Sequence, residues 1–240
     1  GLERRQFGVF RCLGAEVVGS RGRRQDLDDH SRRRDIETAG IVADLIDHGL
    51  HRNEAAARLA AIRETIEEAG LALALDGLSD PADCAEARAA LHDGDTLAQI
   101  CTRHRWKPRL DRLVPWARWR PPRLESRVFD TRFYLIDAGE RGAAASVDNS
   151  ENTHLFWDSA QGVLDRAERG ECRAIFPTKR NLERLALFDS FAATVTHAAE
   201  FPSRLLLTQT KEIDGEMHIC VPDGYGYPVL SEAIKPGLRG

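Results

Sequence analysis

Between residues 53 and 71 the chain reads Asn-Glu-Ala-Ala-Ala-Arg-Leu-Ala-Ala-Ile-Arg-Glu-Thr-Ile-Glu-Glu-Ala-Gly-Leu, and few folds can accommodate it. Ala55, Leu59, Ile62 and Ile66 recur at steps of four, three and four, so a helix over 53–69 carries one apolar stripe. Asn53 is the expected N-cap, and Gly70 the left-handed residue that ends the helix. At 100° per residue, Glu64, Glu67 and Glu68 fall opposite that stripe. One face is therefore committed to a core, and the other crowds three carboxylates into one turn.

That crowding is locally unfavourable. Like charges at i, i+3 and i+4 cost a few tenths of a kcal/mol each, and the helix dipole disfavours anions near a C-terminus. A divalent cation would remove the conflict, because hard cations such as magnesium bind oxygen ligands. The plain alternative is a solvated acidic face, the usual fate of a Glu-Glu pair alone.

The rest of the chain alternates strands and helices without repeats. Strand and tight turn are expected at 8–18, followed by an Arg/Asp-rich solvated segment at 19–37. Leu71–Leu75 reads as a strand, and helices are expected at 81–91 and 96–104. The stretch 113–122 is a proline-punctuated strand or turn, and 129–136 is a strand rich in aromatic and β-branched residues. Helices follow at about 158–169 and 178–199, then a hairpin over 204–220 turning at Asp214-Gly215. This order predicts an α/β or α+β domain.

Composition narrows the function classes. With 34 Lys and Arg against 38 Asp and Glu, the net charge of −4 offers no global field for nucleic acid. Arg103, Arg105, Lys107, Arg109, Arg112 and Arg118, interleaved with Trp106 and Trp116, could meet phosphates and bases. A charged surface around packed tryptophans is favoured over nucleic-acid binding, and cations greeting a nucleotide substrate are a third reading. The five cysteines contain no C-x-x-C pair, which points to reduced thiols and a cytoplasmic setting. No apolar run is long enough to span a bilayer. The histidines lack metal-ligand spacing and read as structural or surface residues. Nothing bears on the oligomeric state.

From Arg63 to Leu71 the string Arg-Glu-Thr-Ile-Glu-Glu-Ala-Gly-Leu resembles the Nudix box, Arg-Glu-(apolar)-x-Glu-Glu-x-Gly-(apolar). Its five fixed positions coincide by chance at about one site in a million. The resemblance implies a Nudix α/β/α sandwich, a mixed sheet between helices, as a single domain over 1–240 with helical insertions around 19–50 and 79–112. It implies magnesium or manganese as cofactor, with Glu67 and Glu68 as ligands. Glu64 becomes a further ligand or the base that activates water, and Arg63 the group orienting the carboxylates.

The complete box opens with Gly-x5-Glu. Gly49 has the spacing, but Ala55 stands at the acid position and Glu54 is one residue out of register. Alternatively the box is interrupted by a long insertion. Leu13-Gly14-Ala15-Glu16-Val17 is then a reduced copy of the family's Pro-Gly-Gly turn, reflecting either an incomplete N-terminus or a partly lost site.

Such an insertion resembles the peroxisomal acyl-CoA diphosphatase branch and its bacterial relatives. Ala117-Arg118-Trp119, Phe129-Asp130-Thr131-Arg132-Phe133, Phe176-Pro177-Thr178 and His218-Ile-Cys-Val-Pro222 follow that branch's order over roughly residues 53–228. This similarity adds Glu151 as a distal metal ligand or base. The implied reaction is hydrolysis of a diphosphate in a small nucleotide-type substrate, coenzyme A or its thioesters. The alternative is an impaired Nudix-fold binding module.

Overall fold

The computed structural model describes residues 7–14, 51–78, 80–120, 130–139 and 157–234. A four-stranded sheet forms its centre. Strand β1 (Phe7–Gly14) pairs antiparallel with β5 (Asp130–Asp137), which pairs antiparallel with β4 (Val114–Arg120). β6 (Leu205–Leu207) then joins β4 in parallel, so the sheet is mixed, in the order β1-β5-β4-β6.

Alternation along β5 explains the layers. Tyr134 and Ile136 enter one core, Phe133 and Leu135 the other. A half-buried strand reads apolar on one face only. This one is apolar on both because helices cover both faces. On the first face lie α1 (Arg52–Ala69), α2 (Pro81–His92) and α3 (Leu97–His104). On the second, the core draws on α5 (Phe176–Leu185) and α6 (Phe191–Glu200). α4 (Ala160–Glu168) packs beside α5. The α/β/α sandwich expected from sequence is the observed architecture.

β4 carries a register shift between Pro115 and Ala117. Proline has no N–H for a ladder, so within sheets it sits at bulges or unpaired edges. Here both conditions hold, because β6 pairs only with Arg118–Arg120. The bulge turns Trp116, Ala117 and Trp119 all into the second core.

Several local expectations need correction. α1 starts one residue early: His51, not Asn53, is the N-cap, its Nδ1 accepting from the Asn53 N–H at 3.3 Å. Leu71–Leu75 is buried but not a strand. Ala74 has φ 53°, and only Leu75–Asp76 (β2) pairs, with Lys107–Pro108 (β3). The helix expected at 178–199 is two, α5 and α6. Ser190 caps the second by accepting from the Ala193 N–H at 3.2 Å. The hairpin is confined to β7 (Gln209–Ile213) and β8 (Glu216–Cys220), since Leu205–Leu207 joins the central sheet. Its turn places Asp214 at φ 52° and Gly215 at φ 82°, the left-handed pair a two-residue hairpin demands. β9 (Ser231–Ala233) completes this second sheet. Residues 15–50, including the expected insertion and Ala15, lie outside the described residues. No helix among those described is long and apolar enough to cross a membrane.

Candidate functional site

The acidic turn stands where α1 ends. Ala55, Leu59, Ile62 and Ile66 are at most 3% exposed, so the predicted stripe is the packed face. The Gly70 N–H meets the Ile66 carbonyl at 3.0 Å, and its φ of 64° turns the chain so that the Leu71 N–H returns to the Thr65 carbonyl at 3.3 Å.

Arg63 organises two of the carboxylates. Its Nη2 donates to Glu64 Oε1 at 3.3 Å, and its Nη1 donates to Glu67 Oε2. The Glu64 and Glu67 side chains are only 12% and 21% exposed, whereas Glu68 is exposed on the last turn. Arg88, on α2, donates to the carbonyls of Glu67 and Glu68 at 2.8 and 2.9 Å. A cation therefore sits at the negative end of the helix dipole, which lowers the local cost of the acidic turn. Sequence reasoning missed Arg88. Twenty residues separate it from Glu68, and no local pattern links them.

The donor chemistry fits a hard divalent cation: oxygen ligands only, with three carboxylates against the two guanidiniums of Arg63 and Arg88. Among the described residues, no three His, Cys, Asp or Glu side chains already converge in ligand geometry. The structure thus brings Arg63, Glu64 and Glu67 together, with Glu68 adjoining. Glu151 lies outside the described residues.

The box's acid position points into the core, and the neighbouring acid points elsewhere. Ala55 is fully buried, so a glutamate there would enter the core. Glu54 instead reaches β5. Its Oε1 accepts from Arg58 Nε at 2.9 Å and Tyr134 OH at 3.2 Å, and its Oε2 from Arg132 Nη1 at 2.7 Å. These groups border a cleft of about 460 Å³, whose other wall is Val114, Pro115, Phe133, Val195 and Ala198. Ten residues of helix, about 15 Å, separate Glu54 from Glu64. The cleft is thus at the opposite end of α1 from the acidic turn.

A second ion pair joins β4 to β5. Arg118 grips Asp130 with a fork: Nε to Oδ1 at 2.7 Å and Nη2 to Oδ2. Burial alone would raise the Asp130 carboxyl, but Arg118, aided by Arg132 and Arg120, outweighs it and holds the carboxyl below the ordinary aspartate value. Stability from a depressed carboxylate is present above its unfolded pKa, about 3.9, and is lost as pH falls through the folded value. Asp130→Asn is therefore expected to cost about 1–2 kcal/mol at pH 7. The gap from the parent protein should close below about pH 4. Urea unfolding at both pH values checks this; a gap unchanged in acid would contradict it.

The 103–118 basic stretch takes the packed-surface alternative. Arg103 pairs with Asp95, Arg109 with Asp76 and Asp111, Arg112 with Asp76, and Arg118 with Asp130. Trp106 and Trp116 are 3% and 0% exposed, unavailable for stacking on bases. His104 stacks on Trp106 at 4.7 Å, a structural role. Cys84, Cys101, Cys172 and Cys220 are free, and burial pushes the Cys101 thiol up to about 11.

Comparison with known proteins agrees with this geometry. The family model described as the NUDT19 Nudix domain matches residues 31–185. The Gallus gallus protein named acyl-coenzyme A diphosphatase NUDT19 is 31% identical over 159 residues, or 57% of this chain. The matched chain spans 42% of that relative's length. A crystal structure of a Nudix hydrolase from Alicyclobacillus acidocaldarius superposes with a TM-score of 0.50 and 25% identity. That superposition takes in 59% of this chain and 66% of the other. With most of its length matched and the sandwich and acidic helix in place, the chain belongs to the NUDT19 Nudix domain family.

Proposed function

We propose that this protein hydrolyses the diphosphate linkage of a nucleoside diphosphate derivative, with coenzyme A or an acyl-CoA as the substrate. The observation that carries this reading is the Arg63 guanidinium holding Glu64 and Glu67 together on one half-buried helical turn. The name of the Gallus gallus relative supports the substrate class.

In this reading Glu64, Glu67 and Glu68 hold magnesium or manganese, and Glu151 adds a ligand or base from beyond the box. The bound cation would neutralise phosphate charge and make a coordinated water more nucleophilic. Arg63 restricts the rotamers of Glu64 and Glu67, so the ordering cost is met before substrate arrives. Glu64, the less exposed of the two carboxylates Arg63 holds, is assigned to accept the proton of the attacking water.

Incubation with coenzyme A and magnesium should release a phosphopantetheine fragment and an adenosine bisphosphate, and chelation should stop it. No release from coenzyme A or acyl-CoA would remove the substrate class while leaving family membership untouched.

A second reading is an impaired binding module, favoured by the core alanine at the box's acid position. It predicts ligand binding that Glu67→Gln leaves unchanged and no metal-dependent turnover.

A further inference from the structure

Arg184, on α5, is only 2% exposed. Its guanidinium lies 3.8 Å from the centre of the Trp116 ring, and Nη1 donates to the Trp116 carbonyl at 2.9 Å. Nε and Nη2 make no well-formed hydrogen bond, and among the described residues the only polar side chain that favours the charged guanidinium is the neighbouring Tyr227 hydroxyl, itself already bonded to Trp119 and Asn181. Those two nitrogens form one edge of the guanidinium, with parallel N–H bonds, the edge that grips an oxyanion in a two-toothed fork. No carboxylate pairs with Arg184 among the described residues, and burial lowers its pKa. A buried cation with an unsatisfied edge costs more than almost any other polar arrangement. A bound anion would offset that cost.

Space for one oxygen of such an anion adjoins it. Arg184, Arg118, Arg204, Ser203 and Tyr227 line a small cavity of about 10 Å³, enough for one water-sized group. Arg204 is exposed, and its Nη2 donates to the Gly224 carbonyl at 2.9 Å, with no carboxylate partner among the described residues. The cavity shares Ala117, Arg118, Pro202 and Ser203 with the 460 Å³ cleft. An oxygen could enter the cavity while the body of a ligand lies along the cleft's apolar wall. Arg184 and Arg118 fall within the family match over residues 31–185, whereas Ser203, Arg204 and Tyr227 fall beyond it.

We propose that the cleft and cavity beside β4 bind a phosphate monoester with an apolar tail: one phosphate oxygen enters the cavity and accepts from Arg184, Arg204 supplies the second cation at the cavity mouth, and the tail lies against Val114, Pro115, Phe133 and Val195. The site is separate from the acidic turn and does not depend on the hydrolase reading.

Calorimetric titration of metal-stripped protein with inorganic phosphate and with n-butyl phosphate, against sodium chloride at equal ionic strength, tests it. Inorganic phosphate should bind with a dissociation constant on the order of a millimolar. Butyl phosphate should bind about tenfold more tightly, because its chain leaves water. Arg204→Ala should weaken both about tenfold, since one exposed charge is removed. Arg184→Met should abolish binding. Glu67→Gln should bind both like the parent, which keeps a failure here distinct from a failure of the proposed hydrolysis. No saturable binding beyond chloride, equal affinity for the two phosphates, or unchanged affinity in Arg204→Ala would each overturn the proposal. Arg204 is exposed, so its variant gives an answer even if Arg184→Met does not fold.

Discussion

If the protein carries out the proposed reaction, Glu67→Gln is expected to lower metal-dependent turnover of coenzyme A by about a thousandfold, the scale lost when a metal-site or acid–base group is removed. Its thermal midpoint should stay within about 2 °C of the parent protein. The amide keeps the size of the carboxylate and still offers Arg63 an acceptor oxygen, so the local packing survives. What disappears is one negative charge of three. In the absence of metal, that loss relieves repulsion on the turn by a few tenths of a kcal/mol, so the variant should be no less stable than the parent. Steady-state kinetics with coenzyme A and a calorimetric melt, run on the same preparation, separate the two effects. Turnover retained within a factor of a few would remove Glu67 from the site. A large fall in the midpoint would instead make Glu67 a structural residue.

Trp116→Ala should produce the largest loss of stability, about 3–5 kcal/mol. The midpoint should fall by about 10 °C. Trp116 is fully buried at the β4 bulge, packed with Phe133, Leu135 and Leu206 beneath α5 and α6. Its indole N–H has no hydrogen-bond partner, so the site is worth its apolar burial and its contact with Arg184. Removing the ring leaves a cavity and strips the stacking face from a buried cation. The two side chains should therefore be coupled: Arg184→Met should cost less, or stabilise more, in the Trp116→Ala background than alone. Guanidinium titrations of the four proteins measure that coupling, and strictly additive changes would exclude it.

Local signals in the sequence were enough for the acidic helix, because its determinants are contiguous. The apolar steps over Ala55–Ile66 and the left-handed Gly70 lie within one helix and its end. The same is true of the Asp214-Gly215 turn. Even the grouping of Glu64, Glu67 and Glu68 on one face follows from helical geometry alone.

What needed the folded chain were pairings across long sequence separations. Whether Glu54 or a residue at 55 carries the useful carboxylate depends on where β5 lies, since Arg132 and Tyr134 meet Glu54 from 78 and 80 residues away. The break at Ser190 and the departure of Leu205–Leu207 into the central sheet are likewise matters of packing, because propensity in both segments allows other outcomes. Arg88 at the end of α1, and Arg184 on Trp116 from 68 residues away, carry no periodic or spacing signal at all. Periodicity and capping are written in neighbouring residues; charge partners and burial are assigned only when distant elements meet.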